Sequence, residues 1–299
     1  MPQAKANGIT IEYETFGDPK AEPMLLIMGL GAQMTRWPPE FCQKIADRGF
    51  HVIRYDNRDV GLTTHFDGAP IPTMQEVSAR RAKGEPLGVA YTLSDMAADG
   101  MGLLDTLGVK KAHIVGASMG GMIAQMVAIE HPDRVLSLTS IFSNTGNPAI
   151  QAKPEAMAVL VNRPPNPFEN EEGYLAHTVA SARVTGSPAY PADEAVLRAN
   201  ALADVKRAYN PAGFGRQMAA ISATGDRREQ LKGVTAPTIV IHGEADPLVP
   251  VEGGRDTAAH IPGAEIVTFP GMGHDLPPVL WDKIIDAIVS VTVRARASA

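Results

Sequence analysis

A single cysteine among 299 residues, Cys42, leaves no partner for an intrachain disulfide. The sequence also lacks the paired Cys/His spacing of a zinc framework, so a reducing cytoplasm is the expected location and no metal is expected. The longest apolar run, Pro23 to Ala32, is about half of the roughly twenty residues needed to cross a bilayer. Residues 1 to 20 lack the basic, apolar and small-residue succession of a secretory signal. Neither a membrane nor an export route is therefore expected. Basic clusters are missing as well: 27 Lys and Arg stand against 33 Asp and Glu, and only Arg294 and Arg296 sit close together near the end. Nucleic acid is not an expected partner. What remains is ordinary globular usage, 44% apolar and 20% charged, in a chain long enough to bury roughly three quarters of its unfolded surface.

Short runs rich in β-branched and aliphatic residues recur and end in Gly, Asp or Asn: 9 to 15, 24 to 28, 51 to 55, 112 to 115, 135 to 142, 238 to 241 and 265 to 269. Four of them, at 24, 51, 112 and 238, are almost continuously apolar, as parallel strands covered on both faces must be. Helical stretches lie between them, at 40 to 48, 93 to 107, 119 to 131 and 281 to 293. This alternation predicts an α/β fold with a doubly wound, mostly parallel sheet. From Gly146 to Leu231 the rhythm breaks: no strand pattern, and Pro-rich turns at 163 to 167 and 187 to 191 between helical pieces such as 193 to 209. The expected organisation is a core of residues 1–145 and 232–299 with a helical cap, 146–231, inserted between two strands.

Ala112-His113-Ile114-Val115-Gly116-Ala117-Ser118-Met119-Gly120-Gly121 is a short strand passing through Gly-x-Ser-x-Gly directly into a helix. A sharp strand-to-helix turn forces the serine into a strained conformation that tolerates only small neighbours, and it lifts the hydroxyl above the sheet. The helix start adds free N–H groups and its positive dipole end. A serine hydroxyl is a weak nucleophile until a base removes its proton, so a histidine held by a carboxylate should follow in the order Ser, Asp, His. Asp246 lies in the loop after the 238 to 241 strand, and His274 lies in the Gly-rich loop Pro270-Gly271-Met272-Gly273-His274 after the next one. These two are the expected acid and base. Glu244, two residues before Asp246, is the competing acid; His242, at the strand end, fits a packed structural role better. The oxyanion hole needs two backbone donors. The candidates are the N–H of Met119, next to the nucleophile, and that of Leu30 in the Met28-Gly29-Leu30-Gly31 turn after an early strand.

Together these residues resemble the α/β-hydrolase superfamily over nearly the whole chain. Tyr55-Asp56-Asn57-Arg58-Asp59-Val60-Gly61-Leu62-Thr63 is similar to the family's Asp-x-Arg-Gly-x-Gly-x-Ser segment, with Asp59 and Thr63 in place of Gly and Ser. That segment is mainly structural in the family, which implies no chemistry for Asp56 or Arg58. Met28 stands where many members have His. Met28-Gly29 followed by Trp37, with the 51 to 59 stretch, resembles the aclacinomycin methylesterase group, which removes a methyl ester from an aromatic polyketide.

The expected activity is that of a serine carboxylic-ester hydrolase working through an acyl-enzyme on a small to medium, largely apolar ester, with a methyl ester as one candidate and no cofactor. Asp or Cys at the elbow would mark other branches of the fold, and this chain has Ser118. Peptidase, thioesterase and C–C hydrolase chemistry stay compatible with serine, as does a non-catalytic ligand receptor. Thirteen methionines suit an adaptable apolar pocket. Its expected wall includes Trp37, Met34, Phe214 and Met218, with Met119, Met157, Phe168, Tyr190 and Tyr209 as further candidates. The oligomeric state is open.

Overall fold

Strands that are apolar along their whole length form the centre of the sheet, and those that alternate form its edge. The computed structural model describes residues 2–297, without the Ala297 side chain. Its strands are β1 (Gln3–Ala6), β2 (Ile9–Phe16), β3 (Glu22–Ile27), β4 (Phe50–Tyr55), β5 (Ala112–Ala117), β6 (Val135–Ile141), β7 (Thr238–Gly243) and β8 (Glu265–Phe269). Among the described residues they make one sheet in the order β1-β2-β4-β3-β5-β6-β7-β8. β2 pairs antiparallel with β1 and with β4, and all other pairings are parallel. The antiparallel β1, a short polar strand, carries too little pattern to be seen in the sequence.

Besides three short 3-10 turns, the described chain has eleven α-helices: α1 (Pro39–Ala46), α2 (Met74–Ala82), α3 (Leu93–Thr106), α4 (Met119–Glu130), α5 (Pro154–Val161), α6 (Glu171–Thr185), α7 (Glu194–Arg207), α8 (Pro211–Thr224), α9 (Arg228–Leu231), α10 (Val251–His260) and α11 (Trp281–Ala297). Alternate side chains of each central strand enter opposite layers. From β3, Leu25 and Ile27 join a core with Leu93, Leu103, Ile123 and Val127 of α3 and α4, all buried. Met24 and Leu26 join the other, with Phe41 and Ile45 of α1 and Ile284, Ile288 and Val291 of α11. Cys42 is buried in this second layer, where loss of solvent pushes its thiol up to about 12. Among the described residues no helix is long and apolar enough to cross a membrane.

α5 to α9 all lie between β6 and β7, with no strand among them. They rest on the core through polar contacts. On α7, Arg207 reaches Asp56 Oδ2 at 2.7 Å, and that carboxyl group is fully buried. On α8, Arg216 makes a two-pronged contact with Asp59, Nε and Nη2 each 2.8 Å from a carboxylate oxygen, with side-chain exposures of 2% and 0%. Asp59 also accepts from Tyr91 Oη and from the Phe66 N–H. Burial alone would raise the Asp59 pKa; the guanidinium and these donors outweigh it and hold the carboxyl below its ordinary value. The backbone at Asp59 is left-handed, φ +69°. This conformation favours glycine, the residue usual at this place in the family that the sequence resembles.

Removing one member of a buried pair strands the other charge, at a cost of about 3–5 kcal/mol. Arg216→Met is therefore expected to lose stability by that amount in urea unfolding. Adding Asp59→Gly should recover part of it, because the lone carboxylate goes and the left-handed backbone relaxes. A loss under about 1 kcal/mol for the single variant would contradict a desolvated pair.

Candidate active site

The turn between β5 and α4 is built for its serine. Ser118 has φ +57° and ψ −122°, outside the regions open to L-residues at low energy, and its N–H is held by the Ile141 carbonyl at 2.9 Å. A Cβ on Gly116 would overlap the Gly120 carbonyl, and one on Gly120 would overlap that of Ile27, so neither position accepts a side chain. The hydroxyl leaves the turn at the head of α4.

His274 Nε2 lies 2.9 Å from Ser118 Oγ and its Nδ1 lies 2.7 Å from Asp246 Oδ2. A carboxylate can only accept, so Nδ1 carries the proton and the Nε2 lone pair faces the serine hydroxyl. The other oxygen of Asp246, Oδ1, accepts from the N–H groups of Leu248 and Val249, both at 2.9 Å. Asp246 is 3% exposed, which leaves its charge to these fixed donors. The Phe142 ring packs against the imidazole, centroids 4.7 Å apart. Glu244 instead is exposed and accepts from Thr268 Oγ1 at 2.7 Å. His242 is fully buried under the acid loop, its Nε2 2.8 Å from the Val249 carbonyl.

The Met28-Gly29-Leu30-Gly31 turn abuts Ser118: a Cβ on Gly29 would come within 3.0 Å of Ser118 Cβ. Among the described residues, neither the Leu30 nor the Met119 N–H is taken up by a turn or loop carbonyl. The Met28 carbonyl accepts from Asn57 Nδ2 at 2.8 Å, and the Gly31 N–H donates to Gln217 Oε1 at 2.8 Å.

A cavity of about 2090 Å³ opens over Ser118 and His274, walled by the early turn, α2 and the helices between β6 and β7. Phe214 and Met218 line it, as do Met119, Met157, Tyr190 and Tyr209. Trp37 and Met34 do not. Both are fully buried: Trp37 stacks on Phe41 at 5.6 Å in the core under α1, and the Met34 N–H donates to Asp56 Oδ1 at 2.8 Å. Phe168 is 73% exposed and packs edge-on against Tyr209. Among the described residues no group of three or more His, Cys, Asp or Glu is arranged to hold a metal ion.

The helical segment also supports the histidine loop, which the sequence alone did not reveal. The Thr185 carbonyl accepts from the His274 N–H at 2.7 Å, and Ser187 Oγ accepts from the Gly273 N–H at 2.8 Å while donating to Asp275. Burial raises the Asp275 carboxyl above its ordinary value, against the lowering effect of Ser187. The Ser-Pro of the turn at 187 was the only signal, and it read as a loop.

The fold and this turn define the class: the chain belongs to the alpha/beta hydrolase fold family, which matches residues 22–278. Among curated proteins it is similar to the rhodomycin D methylesterase of Streptomyces peucetius, 28% identical over 302 residues and 95% of each chain. The rhodomycin D methylesterase of a second Streptomyces strain is 28% identical over 307 residues, again 95% of each. Among solved structures, a meta-cleavage product hydrolase of Pseudomonas fluorescens superposes with a TM-score of 0.77 at 19% identity, covering 99% of this chain and 98% of that one. An enol-lactonase of Burkholderia xenovorans follows with a TM-score of 0.74 at 23% identity, covering 98% and 100%. The fold and the methylesterase relatives support an esterase of the carboxylic-ester hydrolase class.

Burial lowers the His242 pKa from its ordinary 6.5, outweighing the hydrogen bond to Val249 and the charge of Asp246. The folded chain then binds fewer protons than the unfolded chain at acid pH. Its contribution to stability is full above about pH 6.5 and falls away as pH drops below that value. His242→Gln is expected to flatten the decline of Tm between pH 7.5 and 5.5. An unchanged decline would assign it to His51 and His113, whose burial acts in the same direction.

Proposed function

We propose that the protein is a serine ester hydrolase working through an acyl-enzyme, with Ser118 as nucleophile, His274 as general base and acid, and Asp246 as the group that orients the imidazole. The unbroken chain of hydrogen bonds from Asp246 through His274 to Ser118, 2.7 and 2.9 Å, carries this reading. As Ser118 Oγ bonds to the ester carbonyl carbon, its proton passes to His274 Nε2. The carbonyl oxygen becomes an oxyanion facing the Leu30 and Met119 N–H groups. On collapse the C–O bond breaks and the alcohol leaves with the proton from His274. Water then attacks the acyl group, gives its proton to His274 and releases the acid, and Ser118 recovers its proton.

The cavity is about twice the volume at the upper end of ordinary small-molecule sites, which run to roughly 1,000 Å³. It leaves room for an ester with a bulky partner as well as for the small to medium one expected from sequence, and the relatives' names place them on rhodomycin D. The methyl ester of a polycyclic aromatic acid is the substrate class we infer. In this reading residues 146–231 form a cap over a core of residues 1–145 and 232–299.

Steady-state hydrolysis of p-nitrophenyl esters from acetate to decanoate tests the chemistry, and methyl esters of naphthoic and tetracyclic acids test the size. Wild type should turn over many times and folded Ser118→Ala should be slower by about 10⁴-fold or more. Retention of most activity by the alanine variant would sink the nucleophile assignment. Preference for methyl acetate over the polycyclic ester would sink the substrate class.

A further inference from the structure

A Gly-Leu-Gly turn is a poor device for holding a backbone N–H at a fixed point. Glycine on either side of Leu30 lets the flanking peptide planes rotate at little cost, and Gly31 sits at φ +65°. A donor that stabilises an oxyanion must nevertheless stay within a few tenths of an ångström of its place. Something outside the turn has to fix it.

Gln217, on α8, is fully buried and has its two amide ends committed in opposite directions. Its Oε1 accepts the Gly31 N–H at 2.8 Å and its Nε2 donates to the Arg58 carbonyl at 2.9 Å. Neither receiving end is loose. Arg58 is held by Asp99, with Nε 2.6 Å and Nη2 2.7 Å from the carboxylate oxygens. The helix carrying Gln217 is held by the neighbouring Arg216 on Asp59. At the other end of the turn Asn57 Nδ2 grips the Met28 carbonyl at 2.8 Å. The turn is thus pinned at Met28 and at Gly31, with the Leu30 N–H between the pins.

We infer that Gln217 is a positioning residue for the ester hydrolysis proposed above: its side-chain carbonyl, reaching in from the helical segment, fixes the Gly31 peptide and so aims the Leu30 N–H at the oxyanion. Gln217 does not touch the reacting atoms. It acts through the turn, and the helices between β6 and β7 are by this contact a working part of the oxyanion site. The inference rests on the serine-hydrolase reading.

Two variants test it. Gln217→Met keeps length and burial but removes both hydrogen bonds. Gln217→Asn is one methylene too short to reach Gly31, and it serves as the second reporter where the methionine variant does not fold. Each is compared with wild type and Ser118→Ala for p-nitrophenyl butyrate kinetics per folded protein, by circular dichroism, and for the Kd of phenylboronic acid. The boronate adds to Ser118 Oγ with transfer of its proton to His274, giving an anionic tetrahedral adduct that needs the same donors as the transition state.

The methionine and asparagine variants should lose about 10- to 100-fold in kcat with KM within about threefold, and their boronate Kd should weaken by a similar factor. A kcat within twofold of wild type in a folded Gln217→Met or Gln217→Asn would overturn the assignment. A fall in kcat with boronate Kd unchanged would also overturn it, since the loss would then lie outside the oxyanion. Wild type that fails to turn over, or matches Ser118→Ala, would overturn the serine-hydrolase reading together with this one.

Discussion

The backbone of Ser118 occupies a conformation that costs of order 1–3 kcal/mol for any residue with a side chain, and the molecule holds it there from every side. β5 and the Ile141 carbonyl fix its entry, α4 fixes its exit, and Gly116 and Gly120 yield the space in which the turn closes. The strain has a use. A relaxed strand-to-helix connection would bury the hydroxyl or lay it flat along the sheet, out of reach of a histidine arriving from a loop three strands along in the chain. Because the elbow projects Oγ upward, Asp246 after β7 and His274 after β8 can meet it without distortion of their own strands, which remain in regular parallel register.

A second constraint follows from charge. Asp56 and Asp59 sit in a buried loop beside the early turn, and each would be intolerable there alone. Their counterions come from α7 and α8, as Arg207 and Arg216. The helices between β6 and β7 are therefore tied to the core at fixed points by groups that cannot be withdrawn separately. A segment attached only by apolar contact could slide; one attached by directional, desolvated pairs has a single seat. Gln217 and the carbonyl of Thr185 lie on that same seated segment, bonded to the Gly31 and His274 N–H groups.

Much of this was legible in the sequence, for identifiable reasons. Parallel strands buried on both faces write themselves as continuous aliphatic runs, so β3, β4, β5 and β7 and their order along the chain could be read directly. The elbow was legible because its strain restricts residue type at three alternate places, Gly116, Ser118 and Gly120. Ser118, Asp246 and His274 could be singled out because each follows a strand, where the sheet delivers residues to one edge. β1 escaped because a short edge strand needs no apolar run, α2 because it buries a single residue, Val77, and α10 because Gly253 and Gly254 in its first turn are poor helix formers. Trp37 misled because a large aromatic after an early loop suits a pocket and a core equally well, and only the Phe41 stack decides between them. Gln217 gave no signal at all: one glutamine in a helix has no pattern, and its importance comes from a partner 186 residues away.

This division has a physical consequence for how such a molecule can vary. The sheet sets where the three side chains meet, and its residues are constrained by close packing over the full length of the central strands. The helices between β6 and β7 wall much of the cavity, with Met157, Phe214 and Met218 in its lining, and the Phe214 ring packs against Gly31 of the early turn. The same segment is hydrogen-bonded to the core loops at a few places: Arg216 to Asp59, Gln217 to Gly31, and Thr185 and Ser187 to the loop that carries His274. On the serine-hydrolase reading proposed above, a substitution in the lining alters what fits, whereas a substitution at an anchor alters how well the donors and the base are aimed, whatever has been bound.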